Sequence, residues 1–159
     1  MHLHQMGKGV FAHQPIYNNR QLKPVACEML LRGHNQSNLD DYLSEPHLLV
    51  SHLDELVRAV ALSISTLADT HGYLHYFVNF TPAQIASPGF IQALLWFDEN
   101  NIKANSVVLE VTELPLGEEI DVLFLKNLKI AKNKGYLIAL DDFGSGWSNF
   151  NRVLLLEPN

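Results

Sequence analysis

Five carboxylates and one amide recur at equivalent places along this chain. Glu28, Asn79, Glu110, Glu113, Asp141 and Asp142 each lie at or near the C-terminal end of an apolar run. The sharpest case is LIALDDFGSG (137–146), where four apolar residues lead into two adjacent carboxylates and then a Gly-Ser-Gly turn. Carboxylates gathered on one rim repel one another, so a compensating charge is required. Oxygen-rich sets of this kind suit Mg²⁺, Mn²⁺ or Ca²⁺.

Strand alternation narrows the set. Ala26, Glu28, Leu30 and Arg32 share one face of their run, and Cys27, Met29 and Leu31 share the other. Glu110 and Glu113 point to opposite faces, so only one of them faces a common site. Asp141 and Asp142 also diverge, unless the strand ends at or just after them, and Phe143-Gly144 offers such a break. Each residue has a structural alternative: Glu28 as half of an ion pair, Asn79 as a turn residue, Glu113 as a solvated or helix-capping residue, Asp141-Asp142 as a helix cap. Their joint appearance at successive strand ends favours a site. Gly144-Ser145-Gly146 resembles a phosphate-cradling turn, but Asn149 stands where the dinucleotide fingerprint needs a third glycine. The eight histidines read as structural or surface residues; His71 and His75 are separated by Gly72, which undercuts a helical metal pair.

The elements that would position these groups alternate. Strands are expected at 10–17, 24–32, 73–80, 106–113 and 136–143. The stretch 33–46 is polar and irregular. A long amphipathic helix is expected after it, with Leu53, Leu56, Val57, Val60, Ile64, Leu67 and Ala68 on one face, Ser51 with Asp54 as its start and Gly72 as its stop. Thr81-Pro82 and Ser87-Pro88 read as helix starts, with FIQALLWFDE (90–99) as one helix. Residues 118–134 form a further helix closed by Gly135. This β-α-β-α-β order with near-continuous apolar strands indicates a parallel sheet with helices on its faces, either doubly wound or part of a β/α barrel. Both place their sites at the C-terminal ends of strands.

Composition sets outer limits. The 159 residues are 47% hydrophobic and 18% charged, which suits one folded domain. The net charge of −6 argues against DNA binding, which needs a basic face. No apolar run is long enough to span a membrane. The single cysteine, Cys27, cannot form an internal disulfide, and a cytoplasmic location is expected.

With these residues in view, the chain resembles the EAL domains, bacterial phosphodiesterases of cyclic di-GMP. HQPIY, CEMLLR (with Met29 at a position usually alanine), FVNFTPAQI, LEVTE and IALDDFGSGWSNF match in the family's order. The resemblance implies an α/β fold: a TIM-like β/α barrel of EAL type, with its first strand antiparallel to the rest. It implies metal-dependent hydrolysis of cyclic di-GMP to linear pGpG, with Mg²⁺ or Mn²⁺ as cofactor. Glu28, Asn79, Glu110, Asp141 and Asp142 would be metal ligands. Glu28, Asp141 and Asp142 would be catalytic, Asp142 through a second metal or the attacking water. Gln14 and Arg32 would bind substrate, Arg32 at a phosphate. The segment from Phe143 to Asn149 resembles a loop that couples the metal site to a dimer interface.

A β/α barrel takes roughly 250 residues. The expectation is therefore a single EAL-like domain over 1–159 that represents the N-terminal two-thirds of a barrel, lacks later catalytic residues and hydrolyses cyclic di-GMP poorly. Homodimerisation through the open barrel edge or the loop after Asp142 is expected. The alternative function is a non-catalytic cyclic di-GMP receptor or protein-interaction module.

Overall fold

A computed structural model describes residues 11–18, 20, 23–32, 46–112 and 122–141. Five strands form one sheet in the order β1-β2-β3-β4-β5: Phe11–Tyr17, Pro24–Leu31, His75–Phe80, Val107–Val111 and Leu137–Leu140. β1 runs antiparallel to β2, and β2 to β5 are mutually parallel. All five were legible as apolar runs, each observed strand lying within its expected range.

The helices are α1 (Pro46–Ser51), α2 (Leu53–His71), α3 (Pro82–Ile85), α4 (Phe90–Ala93), α5 (Leu95–Glu99) and α6 (Val122–Asn133). The apolar stripe of α2 buries Leu53, Leu56, Val57, Val60, Ala61 and Ile64. Burial of each large side chain of that stripe stabilises the fold by roughly 1.5–3 kcal/mol. Gly72 ends α2 at φ 62, the left-handed conformation expected of it.

Two helix expectations need correction. Ser51 does not start α2: it belongs to α1 and its hydroxyl donates to the Leu48 carbonyl. His52 occupies the cap position instead, with its ring nitrogen Nδ1 2.9 Å from that same carbonyl. Residues 90–99 are two short helices rather than one. The break falls at Leu94, whose carbonyl accepts from the Tyr136 hydroxyl at 3.1 Å and from the Phe97 N–H at 3.1 Å. Those bonds tighten the turn and take the acceptor that a continuous α-helix would use.

The core lies between the sheet and the helices. Cys27 and Met29 of β2, Tyr76, Val78 and Phe80 of β3, Val107, Leu109 and Val111 of β4, and Ile138 of β5 all point into it. The alternate residues therefore face the other side of the sheet, which is the side carrying Glu28, Asn79 and Glu110. Among the described residues no helix is long and apolar enough to cross a membrane.

Candidate functional site at the strand ends

β2 presents Glu28, β3 presents Asn79 and β4 presents Glu110 on one face, near the C-terminal ends of parallel strands. The register aligns Asn79 with Glu110, and Glu110 with Ala139, two residues before Asp141. Asp141 follows β5 directly and its N–H donates to the Val111 carbonyl at 3.0 Å, so the ladder continues to the rim. Glu28, Asn79, Glu110 and Asp141 are all partly buried. Four expected site residues thus come from four adjacent strands to one rim. Asp142, Glu113 and the turn at 144–146 lie outside the described residues.

Asn79 Nδ2 donates to Glu28 Oε1 at 3.0 Å. Its other atom, Oδ1, is buried and has no hydrogen-bond partner among the described residues. A buried amide oxygen without a donor is costly, and the carboxylate bonded to this amide, Glu28, brings no proton when ionised. A hard divalent cation is the partner that an amide oxygen and neighbouring carboxylates can share. The residues present therefore fit the expected metal. Among the described residues, however, no three His, Cys, Asp or Glu side chains form a ready group for an ion. The amide of Asn79 stands between the carboxylate strands and spaces them.

Gln14 is paired with Glu28 across the antiparallel β1–β2 ladder. Directly opposed residues share a face, so Gln14 joins the same side and is exposed. Arg32 is exposed one residue beyond β2; its Nη1 donates to the Leu31 carbonyl at 3.2 Å. Among the described histidines, His71 stacks on Tyr73 with ring centroids 5.4 Å apart, and the His13 ring lies 5.5 Å from that of His71.

The chain just past Asn79 is held by the expected cap Thr81 together with two groups not singled out in the sequence, Gln84 and Asn127. The Thr81 N–H donates to Gln84 Oε1 at 2.9 Å and the Gln84 N–H donates to Thr81 Oγ1 at 3.2 Å, a reciprocal capping box. Gln84 Nε2 also reaches the Leu49 carbonyl at 3.2 Å, tying α1 to this turn. Buried Asn127 of α6 donates to the Ile85 and Ser87 carbonyls at 2.7 and 3.0 Å. The Thr-x-x-Gln spacing carried a signal for the box; nothing in the α6 pattern marked Asn127.

A family model described as EAL domain matches residues 3–159. The chain belongs to the EAL domain family. Its described five-stranded sheet, with the first strand antiparallel to the rest, is that of an incomplete β/α barrel of EAL type. This EAL chain is 30% identical over 158 residues to the probable cyclic di-GMP phosphodiesterase PdeG of Escherichia coli (strain K12), covering 91% of this chain and 30% of that protein. The chain thus spans less than a third of that relative's length. Among solved structures it is similar to the PaMucR phosphodiesterase in complex with c-di-GMP, with TM-score 0.76 and 20% identity over 94% of this chain and 66% of that one. It is also similar to a manganese and cyclic di-GMP complex of Klebsiella pneumoniae BlrP1, with TM-score 0.74 and 21% identity over 96% of this chain and 39% of that one.

Proposed function

We propose that this EAL domain takes part in metal-dependent hydrolysis of one phosphodiester bond of cyclic di-GMP, giving linear pGpG. The observation that carries the reading is the Asn79 amide: its nitrogen is committed to Glu28 and its buried oxygen has no donor among the described residues. The related probable phosphodiesterase PdeG and the similar BlrP1 structure, a manganese and cyclic di-GMP complex, support the same reading.

Glu28, Asn79, Glu110 and Asp141, with Asp142, would hold Mg²⁺ or Mn²⁺. The bound metal would supply a water of lowered pKa and neutralise charge on the phosphoryl oxygens. Asn79 fixes the orientation of the Glu28 carboxylate through its N–H. Arg32 offers a planar, permanently charged donor set for a phosphate. Gln14 offers an uncharged amide on the same face for the rest of the ligand. We take residues 1–159 as one EAL unit acting in the cytoplasm. Self-association would use a sheet edge, since β1 and β5 are the outer strands of the described sheet, or the loop after Asp142.

Calorimetry of the 159-residue chain with cyclic di-GMP, with and without MnCl₂, tests this. Binding that requires Mn²⁺ and is lost in Asp141→Asn is expected. Metal-independent binding unchanged by Asp141→Asn would replace the proposal with the receptor reading.

A further inference from the structure

Gln84 is buried, 5% exposed, and both ends of its side-chain amide are committed. Oε1 accepts from the Thr81 N–H at 2.9 Å and from the Thr81 hydroxyl at 3.2 Å. Nε2 donates to the Leu49 carbonyl at 3.2 Å. A backbone N–H only donates and a carbonyl only accepts, so these partners fix which way the amide points. The Thr81 N–H belongs to a peptide unit whose other end, the Phe80 carbonyl, accepts from the Thr112 N–H at 3.1 Å. That peptide lies one residue past Asn79 and is pinned at both ends: Thr112 holds its oxygen and Gln84 holds its nitrogen. Leu49, Asn79, Thr81, Gln84 and Thr112 also line a common cavity of about 140 Å³. A cavity beside a side chain removes packing contacts that would otherwise hold it, so hydrogen bonds carry the alignment here.

We propose that Gln84 is a positioning residue for the metal rim: it sets the affinity of the site for its ion by holding Asn79 through the Phe80–Thr81 peptide. The inference rests on the metal reading of Glu28 and Asn79 given above. The Asn79 amide meets two demands, since Nδ2 reaches Glu28 at 3.0 Å while Oδ1 faces the ion. An N–H···O bond holds over a range of about 0.5 Å, whereas a metal–ligand distance varies by only about 0.2 Å. A small rotation at the end of β3 therefore weakens the hold on the ion more than it weakens the Glu28 bond. Capping of α3 is a separate role. The cap bond runs from the backbone N–H of Gln84 to Thr81 Oγ1, and any residue other than proline at 84 can make it. The bond to the Thr81 N–H needs the Gln84 side chain.

The test combines calorimetric titration with MnCl₂, urea unfolding, and NMR of the Asn79 side-chain amide in the metal-free 159-residue chain. Gln84→Met keeps the length of the side chain without its donor or acceptor. Gln84→Asn keeps the amide but draws it back by one methylene, and is the milder change. Each should weaken Mn²⁺ binding about tenfold in folded protein and shift the Asn79 side-chain amide signals. Thr81→Val removes the cap hydroxyl but keeps the N–H, so it should lower stability with Mn²⁺ affinity near that of wild type. Wild-type Mn²⁺ affinity in folded Gln84→Met or Gln84→Asn would overturn the proposal. An equal loss of affinity in Thr81→Val would also overturn it, reducing Gln84 to half of a helix cap. If the wild-type chain binds no Mn²⁺, the metal reading fails by itself, and the Asn79 signals then decide the role of Gln84: signals unmoved in both variants overturn it.

Discussion

Asn79 donates to Glu28 across 3.0 Å although the two are 51 residues apart in sequence. The bond joins β2 to β3 at the rim and leaves the amide oxygen for another partner. It explains why an amide interrupts a set of carboxylates. A second acid beside Glu28 would raise the pKa of one of the pair, whereas the amide gives Glu28 a proton donor and still offers an oxygen.

Asn79→Leu should therefore weaken Mn²⁺ binding by about a hundredfold, removing both a ligand and the group that orients Glu28. Titration of the purified variant with MnCl₂ by calorimetry measures this. Asn79→Asp should retain some affinity, because it restores an oxygen ligand. Equal Mn²⁺ affinity in wild type and Asn79→Leu would remove Asn79 from the site.

Asn127 sets the stability of the turn that follows β3. Replacement by Leu keeps the volume but removes the Asn127 donor from the Ile85 and Ser87 carbonyls, leaving Ser87 with the Phe90 N–H alone. Loss of two buried hydrogen bonds should cost about 2–4 kcal/mol. Urea unfolding should show that loss as a lower midpoint with an unchanged slope.

The strands and the rim were legible because their signals are local. Apolar runs that carry Glu28, Asn79, Glu110 and Asp141 at or near their C-terminal ends state both the element and the end that carries chemistry. The divided helix over 90–99 was not legible, because its break depends on Tyr136, far along the chain, reaching the Leu94 carbonyl. Asn127 was hidden for the same reason: a polar residue inside a helical pattern gives no hint that two distant carbonyls await it. The choice of Glu110 over Glu113 rested on the family resemblance, since alternation alone requires only that the two diverge.

Gly135 closes α6 at φ 99 and leads directly into β5. A Cβ added there would meet only the Ala104 side chain, at 3.7 Å, which is ordinary contact. The penalty for Gly135→Ala is thus conformational rather than steric crowding, about 1–2 kcal/mol. Gly135→Asn should cost less than Gly135→Ala, because Asn tolerates positive φ better. Thermal unfolding of the two variants side by side checks the order, and a reversed order would place the cost in packing.

Cys27 gives the chain an alkaline stability limit. It is fully buried in β2, and its pKa is pushed up from 9.0 to about 11. Burial is the main cause; a backbone hydrogen bond from Gln14 opposes it, and the Glu28 carboxylate adds to the rise. The unfolded chain loses the thiol proton near the ordinary value, while the folded chain retains it. Folded protein thus binds more protons in that interval, and stability falls as pH rises. The contribution is fully present below about 9 and is lost as pH approaches about 11, amounting to roughly 2–3 kcal/mol. Tyr136 and Tyr76, raised by burial in the same sense, steepen the decline at still higher pH. Urea midpoints measured from pH 8 to 11 should fall, and Cys27→Ala should flatten the part of the slope between 9 and 11. At pH 8 the native thiol should react with iodoacetamide only as fast as the fold opens, so added urea should accelerate labelling sharply. Prompt labelling in native buffer would show that the thiol is neither buried nor held protonated.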